Sequence, residues 1–485
     1  MSKLQISKLF LYRYRFIIGY IILGLAYVSL LFTLPMISPN GLSNEEMISA
    51  TDSYNLHFSS IATGDLVDLP YHILQKICIL IFGFSVYSIK LPSIIIGLFF
   101  GVLLILLLNR WFKSNVALLT SIITILSTPF LYLSGMGTPL IMLAFWPTFL
   151  LWLGSKIQGI KKPRPIYCFI FAFALLLAIF TPHLIYMAIF IGFFVIAQPH
   201  LRFTVKTLPK LPLILTSLVI IAGITLLLTN AISNPQIALT LLFSENPNID
   251  YLNNIKVAIK PFFLWGNTME STLLTPLFGL ASFALALTGL LSTRKGFFAS
   301  RNSIATYLII FTLLLSGFNP DSALLLILPV SILIAHGIRY ILEKWYGLFP
   351  ENPYARIIAI APISLLLGVI IFSDMTHFIF GYRYTPSVAN HFNNDLTIIS
   401  EKLPEKTEIL IKENSVEDKF YKVYEDRTHK ITVVNSVPEK IENGKFATIG
   451  KWDEDLPFTV SKIITSSKSD NSDRIYIYNN TVTEE

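Results

Sequence analysis

Between Phe16 and Phe372 the chain returns again and again to apolar runs of bilayer-crossing length that are almost free of charge. Spanning about 30 Å of hydrocarbon takes about 20 apolar residues as a helix, the open-chain structure that satisfies its own backbone donors and acceptors. The runs fall near 16–36, 89–109, 116–133, 138–155, 166–181, 183–198, 211–230, 272–292, 303–318, 322–338 and 357–373, eleven in all. Apolar residues make up 53% of the chain and charged residues 14%. A soluble domain of this size needs about 25% charged residues to cover its surface, so lipid must serve as solvent for much of it. The fold class expected is an all-α polytopic membrane protein with a small soluble appendage. The first run is too long for a signal-peptide core and has no small-residue cleavage pattern after it, so it reads as a retained anchor.

Lysine and arginine placement orients the spans. With the N-terminus inside, the cytoplasmic segments carry nineteen basic residues, among them Arg13, Arg15, Arg110, Lys156, Arg202, Arg301 and Arg339. The opposite segments up to Asp374 carry four: Lys76, Lys90, Lys256 and Lys260. Positive charge resists translocation, so this asymmetry sets the N-terminus inside and, after an odd number of spans, the C-terminus outside. Most of the net charge of +7 therefore lies in topogenic loops and gives no reason to expect a nucleic-acid partner. Cys78 and Cys168 fall near opposite membrane faces and imply neither a disulfide nor a metal site.

The alternation of span and loop is broken in three places. The outer loop at 38–69 holds five acids, Glu45, Glu46, Asp52, Asp65 and Asp68, and no lysine or arginine. The stretch from Pro70 to Asn109 is about twice the length of one span, so its first part, 70–82, is expected to lie in the headgroup plane with His72, Gln75 and Lys76 on a wet face. The loop from Ala231 to Ser271 carries an amphipathic stretch, Tyr251 to Trp265, with Lys256 and Lys260.

After residue 374 the apolar runs shorten to strand length: 408–411, 430–434, 446–449, 458–465 and 474–478. Helical patterns cover 387–403 and 416–424, and Asn443-Gly444 marks a turn. The expected organisation is a transmembrane domain, 1–374, and an extracytoplasmic α/β domain, 375–485. The span interiors hold almost no ionisable groups, which argues against a proton- or sodium-coupled carrier, since such a carrier needs titratable side chains at mid-membrane.

Glu45 and Glu46 open a short helical pattern, Asn44 to Ala50. Acids at a helix N-terminus are favoured by the dipole, which is a purely structural reason for them. Successive helical residues point about 100° apart, so one glutamate at most aims into a site.

The order of motifs from residue 16 to 155 resembles the GT-C superfamily of membrane glycosyltransferases, in its protein mannosyltransferase and aminoarabinose (lipid A) transferase branch. The residues carrying the likeness are Glu45-Glu46, Leu69-Pro70-Tyr71-His72, Phe82-Gly83, Lys90-Leu91-Pro92-Ser93, Ser127-Thr128-Pro129-Phe130 and the turn from Ser134 to Pro139. The resemblance implies transfer of a sugar, with inversion, from a polyprenyl-phosphate donor to an acceptor hydroxyl of a glycan, lipid or protein at the outer face of the plasma membrane. Glu45 matches the catalytic acid, acting as general base, with Glu46 second. The two together are also candidate ligands for Mg²⁺ or Mn²⁺, since hard cations take carboxylate oxygens. Candidate partners for the donor's phosphate are Lys256, Lys260, Lys90 and Arg383, with His57 and His72 nearby on the linear map.

Two departures from the family pattern support a different reading. The turn from Ser134 to Leu140 has no charge where family members commonly place arginines and an aspartate, and Asp321-Ser322 stand where Arg-Tyr is common. The alternative reading is a catalytically degenerate lipid- or glycan-binding protein on the same scaffold, and a transporter or flippase comes third.

Overall fold

The computed structural model describes residues 10–37, 41–56, 66–158, 165–242, 250–263, 279–296, 299–348, 353–381, 384, 391–452, 456–465 and 474–480. The chain begins with the apolar helix α1 (Phe10–Ile37), followed by a short loop helix α2 (Asn44–Asn55) and α3 (Leu69–Phe82). Then come the long α4 (Val86–Trp111) and a bent pair, α5 (Ser114–Ile125) and α6 (Thr128–Gly135). The pair turns through 60° at Ser127, which is extended, and Pro129 sits in the first turn of α6, where a missing N–H costs the helix nothing. Helices α7 (Met142–Gln158), α8 (Pro165–Ile179) and α9 (Ile185–Ala197) continue the bundle. Pro199 sets a 100° turn into the short polar α10 (Pro199–Thr207).

The second half holds α11 (Lys210–Ser233), α12 (Pro235–Leu242), α13 (Tyr251–Phe263), α14 (Leu280–Thr293) and α15 (Ser300–Ser316). After a 3₁₀ segment at Pro320–Leu326 come α16 (Ile327–Leu348) and α17 (Pro353–Thr376). Each of the eleven expected runs overlaps a helix or the bent α5–α6 pair, although 272–278 lie outside the described residues and the run at 322–338 opens in the 3₁₀ segment. Among the described residues, five helices are singly long and apolar enough to cross a membrane, seven if each bent pair counts as one. The other runs form shorter apolar helices, such as Ile166–Ile179 and Leu280–Thr293. Exposed Ile22, Leu25, Ile221, Leu365 and Phe372 make the outward surface of α1, α11 and α17 an apolar belt, as lipid contact requires. Helices α14 and α16 cross backbone to backbone. A Cβ on Gly289 would strike the Leu333 carbonyl oxygen, and one on Gly337 the Leu285 carbonyl oxygen. Glycine at both positions permits the approach that drives helix association in lipid.

From Asn394 the chain builds an α/β unit: α18 (Asp395–Lys402), β1 (Thr407–Leu410), α19 (Val416–Thr428), β2 (Ile431–Val434), β3 (Phe446–Ile449), β4 (Phe458–Thr465) and β5 (Arg474–Asn480). The sheet order is β2-β1-β3-β5-β4, parallel across β2-β1-β3 and antiparallel across β3-β5-β4. Because β2 and β3 are not neighbours, Asn443-Gly444 is not a hairpin turn. Gly444 takes φ +77° on the approach to β3, while the Asn443 side chain accepts the Asn480 backbone N–H at 2.8 Å. The helical pattern expected over 387–403 starts at Asp395; residues 385–390 lie outside the described residues.

This unit is not suspended on a linker. Leu42 pairs with Asn393 in an antiparallel bridge, so the first loop is tied to the approach to α18. Met47 and Ala50 of α2, with Ile79, Phe84 and Ile89, share one buried core with Leu396, Ile399, Phe420 and Tyr424 of the α/β unit.

Candidate active site around the first loop

The site is built on the N-terminus of α2. Ser43 caps the helix with a capping box. Its hydroxyl accepts the Glu46 N–H at 3.3 Å, and the Glu46 carboxylate accepts the Ser43 N–H at 2.9 Å. Such reciprocal pairing satisfies two donors that the helix cannot. The second Glu46 oxygen accepts the Gly137 N–H at 2.5 Å and faces the Lys90 ammonium at 3.8 Å. Glu46 and Lys90 are both sealed from solvent. Gly137 belongs to the turn between α6 and α7, and a Cβ there would sit 2.9 Å from Ile89 Cγ2 and 3.3 Å from the Glu46 carboxylate, so the contact requires glycine.

A second buried polar group, Gln75 of α3, joins the same three segments. Its amide nitrogen donates to the carbonyls of Ile89 and Gly137, both at 3.0 Å, and its oxygen accepts from Ser49 and Ser53 at 2.9 and 2.6 Å. Since Ser53 gives its proton to Gln75, the 2.7 Å contact between Ser53 Oγ and His72 Nδ1 is a donation from the imidazole. Burial pushes His72 down to about 4, so the ring is neutral at physiological pH and holds its proton on Nδ1. Tyr71 and Ser93, 2.9 Å apart, extend the network to the Thr138 carbonyl. Lys76 closes the far end of α2 by donating to the Tyr54 and Leu56 carbonyls.

This corrects the expected wet face of α3. Gln75 is fully buried, and His72 and Lys76 turn inward to hold α2, while the exposed residues of the helix are Ile77, Leu80, Ile81 and Phe82. The loop helix supplies partners that make burial of these polar side chains tolerable, and the apolar edge is free to meet lipid.

Glu45 points the other way, with exposed surface. Partial desolvation by the surrounding protein holds its carboxyl above the usual range, assisted by the charges of Asp321 and Glu46 and opposed by His391. Asp321 enters from the 3₁₀ segment before α16, where Asn319 caps its N–H at 2.8 Å. His391 stands just before the bridge at Asn393. The two glutamates thus divide: Glu46 is an internal strut and Glu45 faces outward. Asp321 and His391 were not among the sequence candidates, although Asp321 is the acid at the edge of an apolar run.

The remaining candidates are spread out. Lys256 is exposed on α13, a helix anchored beside the Asp321 segment by Asn254, which donates to the Gly317 carbonyl at 3.1 Å, and by Tyr251, which donates to that of Leu314 at 2.9 Å. Position 260 lies on the same helix, and its side chain lies outside the described residues, as do His57 and Arg383 altogether. Among the described residues no three His, Cys, Asp or Glu side chains gather as a metal site. The oxygens of Glu46 are already met by two N–H donors and the Lys90 ammonium, a set that does not fit Glu46 as a ligand of Mg²⁺ or Mn²⁺.

An apolar multi-helix bundle with an acidic first-loop helix, packed under a C-terminal α/β unit, is the arrangement that the resemblance to the GT-C superfamily implies. The comparisons agree. Residues 70–226 match the family model described as dolichyl-phosphate-mannose-protein mannosyltransferase. The fold superposes on ArnT from Cupriavidus metallidurans, in a structure bound to undecaprenyl phosphate, with TM-score 0.56 and 12% identity over 96% of this chain and 98% of that one. It also superposes on the oligosaccharyltransferase AglB from Archaeoglobus fulgidus, in complex with an inhibitory peptide and a dolichol-phosphate, with TM-score 0.54 and 13% identity. That match covers 88% of this chain and 65% of AglB, so the chain spans about two thirds of AglB's length. A sequence search of curated proteins returns no match. The chain is a multi-pass membrane protein of GT-C fold that resembles the protein mannosyltransferase and aminoarabinose transferase branch.

Proposed function

We propose that this protein transfers a sugar from a polyprenyl-phosphate donor to an acceptor hydroxyl, with inversion, at the outer face of the plasma membrane. The observation that carries the reading is the division of labour between adjacent glutamates. Glu46 is consumed by Lys90, Gly137 and Ser43, and Glu45 is left accessible with a carboxyl made more basic than usual. A base of raised pKa is better matched to taking a hydroxyl proton near neutrality. In this mechanism Glu45 removes the acceptor's proton as its oxygen attacks the anomeric carbon. The bond to phosphate breaks on the opposite side of the sugar, and polyprenyl phosphate departs without needing a protein acid. Lys256, exposed beside the Asp321 segment, is the described cation best placed to meet the departing phosphate, while Lys90 holds Glu46 in position.

The bound undecaprenyl phosphate of ArnT and dolichol-phosphate of AglB support a lipid-phosphate donor. The acceptor class, whether glycan, lipid or protein, is left open by these residues. The excess of basic residues in alternate loops supports an outward C-terminal unit, which would then roof the acceptor side of Glu45. The rival reading, lipid binding without transfer, draws on the uncharged turn at 134–140, whose Gly137 N–H is already engaged by Glu46.

The test is transfer of radiolabelled sugar from polyprenyl phosphate in membranes holding the full chain, with Glu45→Gln beside wild type. Loss of about 10²–10⁴-fold in the variant, with lipid-phosphate binding retained, is the expected result. Equal rates in variant and wild type would remove Glu45 from catalysis. Binding of polyprenyl phosphate without transfer by the wild type would select the rival reading.

A further inference from the structure

A cavity of about 660 Å³ lies at the other end of the bundle from Glu45. Helix α4 measures the separation. Lys90 stands near its start and Trp111, which lines the cavity, at its end, about 30 Å away at 1.5 Å rise per residue. The walls are mainly aromatic and aliphatic, with Phe171, Met187, Phe190, Phe194, Ile304 and Leu308 among them. The volume is within the range of about 300–1,000 Å³ that houses small amphiphiles.

Arg301 lines the cavity, and Arg110, exposed and outside the lining, is fixed to its edge. Arg110 Nε donates to the Ser155 carbonyl at 2.9 Å, and Arg301 Nη1 donates to the Trp111 carbonyl at 2.8 Å. Ser155, Trp111 and Arg301 all line the cavity, and no aspartate or glutamate is among the lining residues. Arg301 also lies over the Phe112 ring at 5.6 Å. Each guanidinium has five N–H donors in a planar fork, a geometry that matches phosphate oxygens. Among the described residues, one donor of Arg110 and two of Arg301, counting the 3.4 Å contact with Asn302, are engaged. An apolar ligand would gain nothing from paired arginines, and a soluble anion nothing from the aromatic walls. A lipid whose chain fills the walls while its phosphate meets the arginines uses both.

We propose that this cavity binds an anionic diacyl phospholipid drawn from the leaflet that faces the basic loops. One acyl chain lies among Phe171, Phe190 and Phe194, and the headgroup phosphate sits on Arg110 and Arg301. Basic pockets between membrane helices on the side of the positive loops recognise lipid headgroups in this way. The proposal rests on the membrane fold and not on sugar transfer.

The test uses the full-length protein, purified in neutral detergent and delipidated. Native mass spectrometry then compares phosphatidylglycerol with phosphatidylcholine of the same acyl chains. The wild type is expected to prefer phosphatidylglycerol by about tenfold, because the choline ammonium of phosphatidylcholine offsets its phosphate charge and is repelled by the arginines, whereas phosphatidylglycerol keeps a net negative headgroup. Arg301→Gln and Arg110→Gln should each erode that preference. Gly154→Leu should lower binding of both lipids, because residue 154 lines the cavity and a Cβ there meets nothing nearer than Phe171 at 3.9 Å. Size-exclusion profile and melting midpoint without added lipid identify any variant that has misfolded, and Glu45→Gln should bind phosphatidylglycerol as the wild type does. Equal binding of the two lipids by the wild type, or phosphatidylglycerol binding unmoved by a well-folded Gly154→Leu, would overturn the proposal. So would displacement by polyprenyl phosphate at lower concentration than phosphatidylglycerol itself binds, which would assign the cavity to the lipid carrier.

Discussion

Glu46 and Lys90 face each other at 3.8 Å in a place that solvent does not reach, joining the first loop to the start of the long helix α4. A lone charge at such a depth is costly, and each residue offsets part of that cost for the other. Around them, Ser43 and Gly137 supply neutral donors to the same carboxylate, so the pair belongs to a network that holds the loop, α4 and the α6–α7 turn in one arrangement.

That coupling is measurable. Glu46→Ala and Lys90→Met should each destabilise the protein by about 3–5 kcal/mol, because each leaves a buried charge without its partner. The double variant should lose much less than the sum of the two. Thermal unfolding in detergent, read as a double-mutant cycle, checks this. Additive losses would mean that the two groups do not sense each other.

Glu45 should control the acid limb of the activity profile. Transfer needs the deprotonated carboxylate, so the rate falls as pH drops through the Glu45 pKa. Asp321 raises that pKa by its negative charge, and His391 lowers it. Asp321→Asn should therefore move the acid limb to lower pH, and His391→Ala should move it to higher pH. The measurement is kcat/KM against pH for the three proteins, and shifts in the same direction for both variants would show that the limb belongs to another group.

The helices were legible because lipid imposes a length and a hydropathy on each run, and strand-length alternation was equally plain in the last hundred residues. The roles of Glu45 and Glu46 were half legible. Their adjacency on one helix required that they diverge, but which one faced inward depended on Lys90 and Gly137, residues 44 and 91 positions away from Glu46. Gln75 and His72 read as a wet face because a sequence shows that a helix has a polar side and not what covers it. Asp321 and His391 reach Glu45 only through tertiary folding of the 3₁₀ segment and the Leu42–Asn393 bridge, so no local pattern pointed to them.

Gln75 tests whether the loop helix is held by donor and acceptor identity or by shape alone. Its amide nitrogen gives its two protons to the Ile89 and Gly137 carbonyls. Gln75→Glu keeps the shape and keeps an acceptor for Ser49 and Ser53, but a carboxylate has no proton for Ile89 or Gly137. The loss of these two donations should cost about 1–3 kcal/mol. Gln75→Glu should therefore melt well below the wild type, with the deficit shrinking at low pH, where a protonated carboxyl regains one donor. A deficit independent of pH would mean that packing, not hydrogen bonding, fixes the helix.

The packing of the α/β unit on the first loop rests on one aromatic contact more than on any polar one. Phe84 is 7% exposed and lies 5.3 Å from the Phe420 ring and 5.8 Å from that of Tyr424, with Tyr54 of α2 at 6.5 Å. The polar contacts nearby, Tyr54 to Asp426 at 2.8 Å and Arg427 to the Leu80 carbonyl at 3.2 Å, are exposed and contribute little on their own. Phe84→Ala removes a buried ring at a cost of about 3–5 kcal/mol, and most of that loss falls on the contact between α19 and the loop. Helix α19 carries Lys419, Lys422 and Arg427, so limited trypsin digestion of the membrane-bound protein reports its opening. Cleavage there should be faster in Phe84→Ala, while the helices around Gly289 and Gly337 keep their wild-type resistance. If cleavage at α19 is unchanged, the Leu42–Asn393 bridge and the Met47–Ala50 face hold the unit without the aromatic cluster.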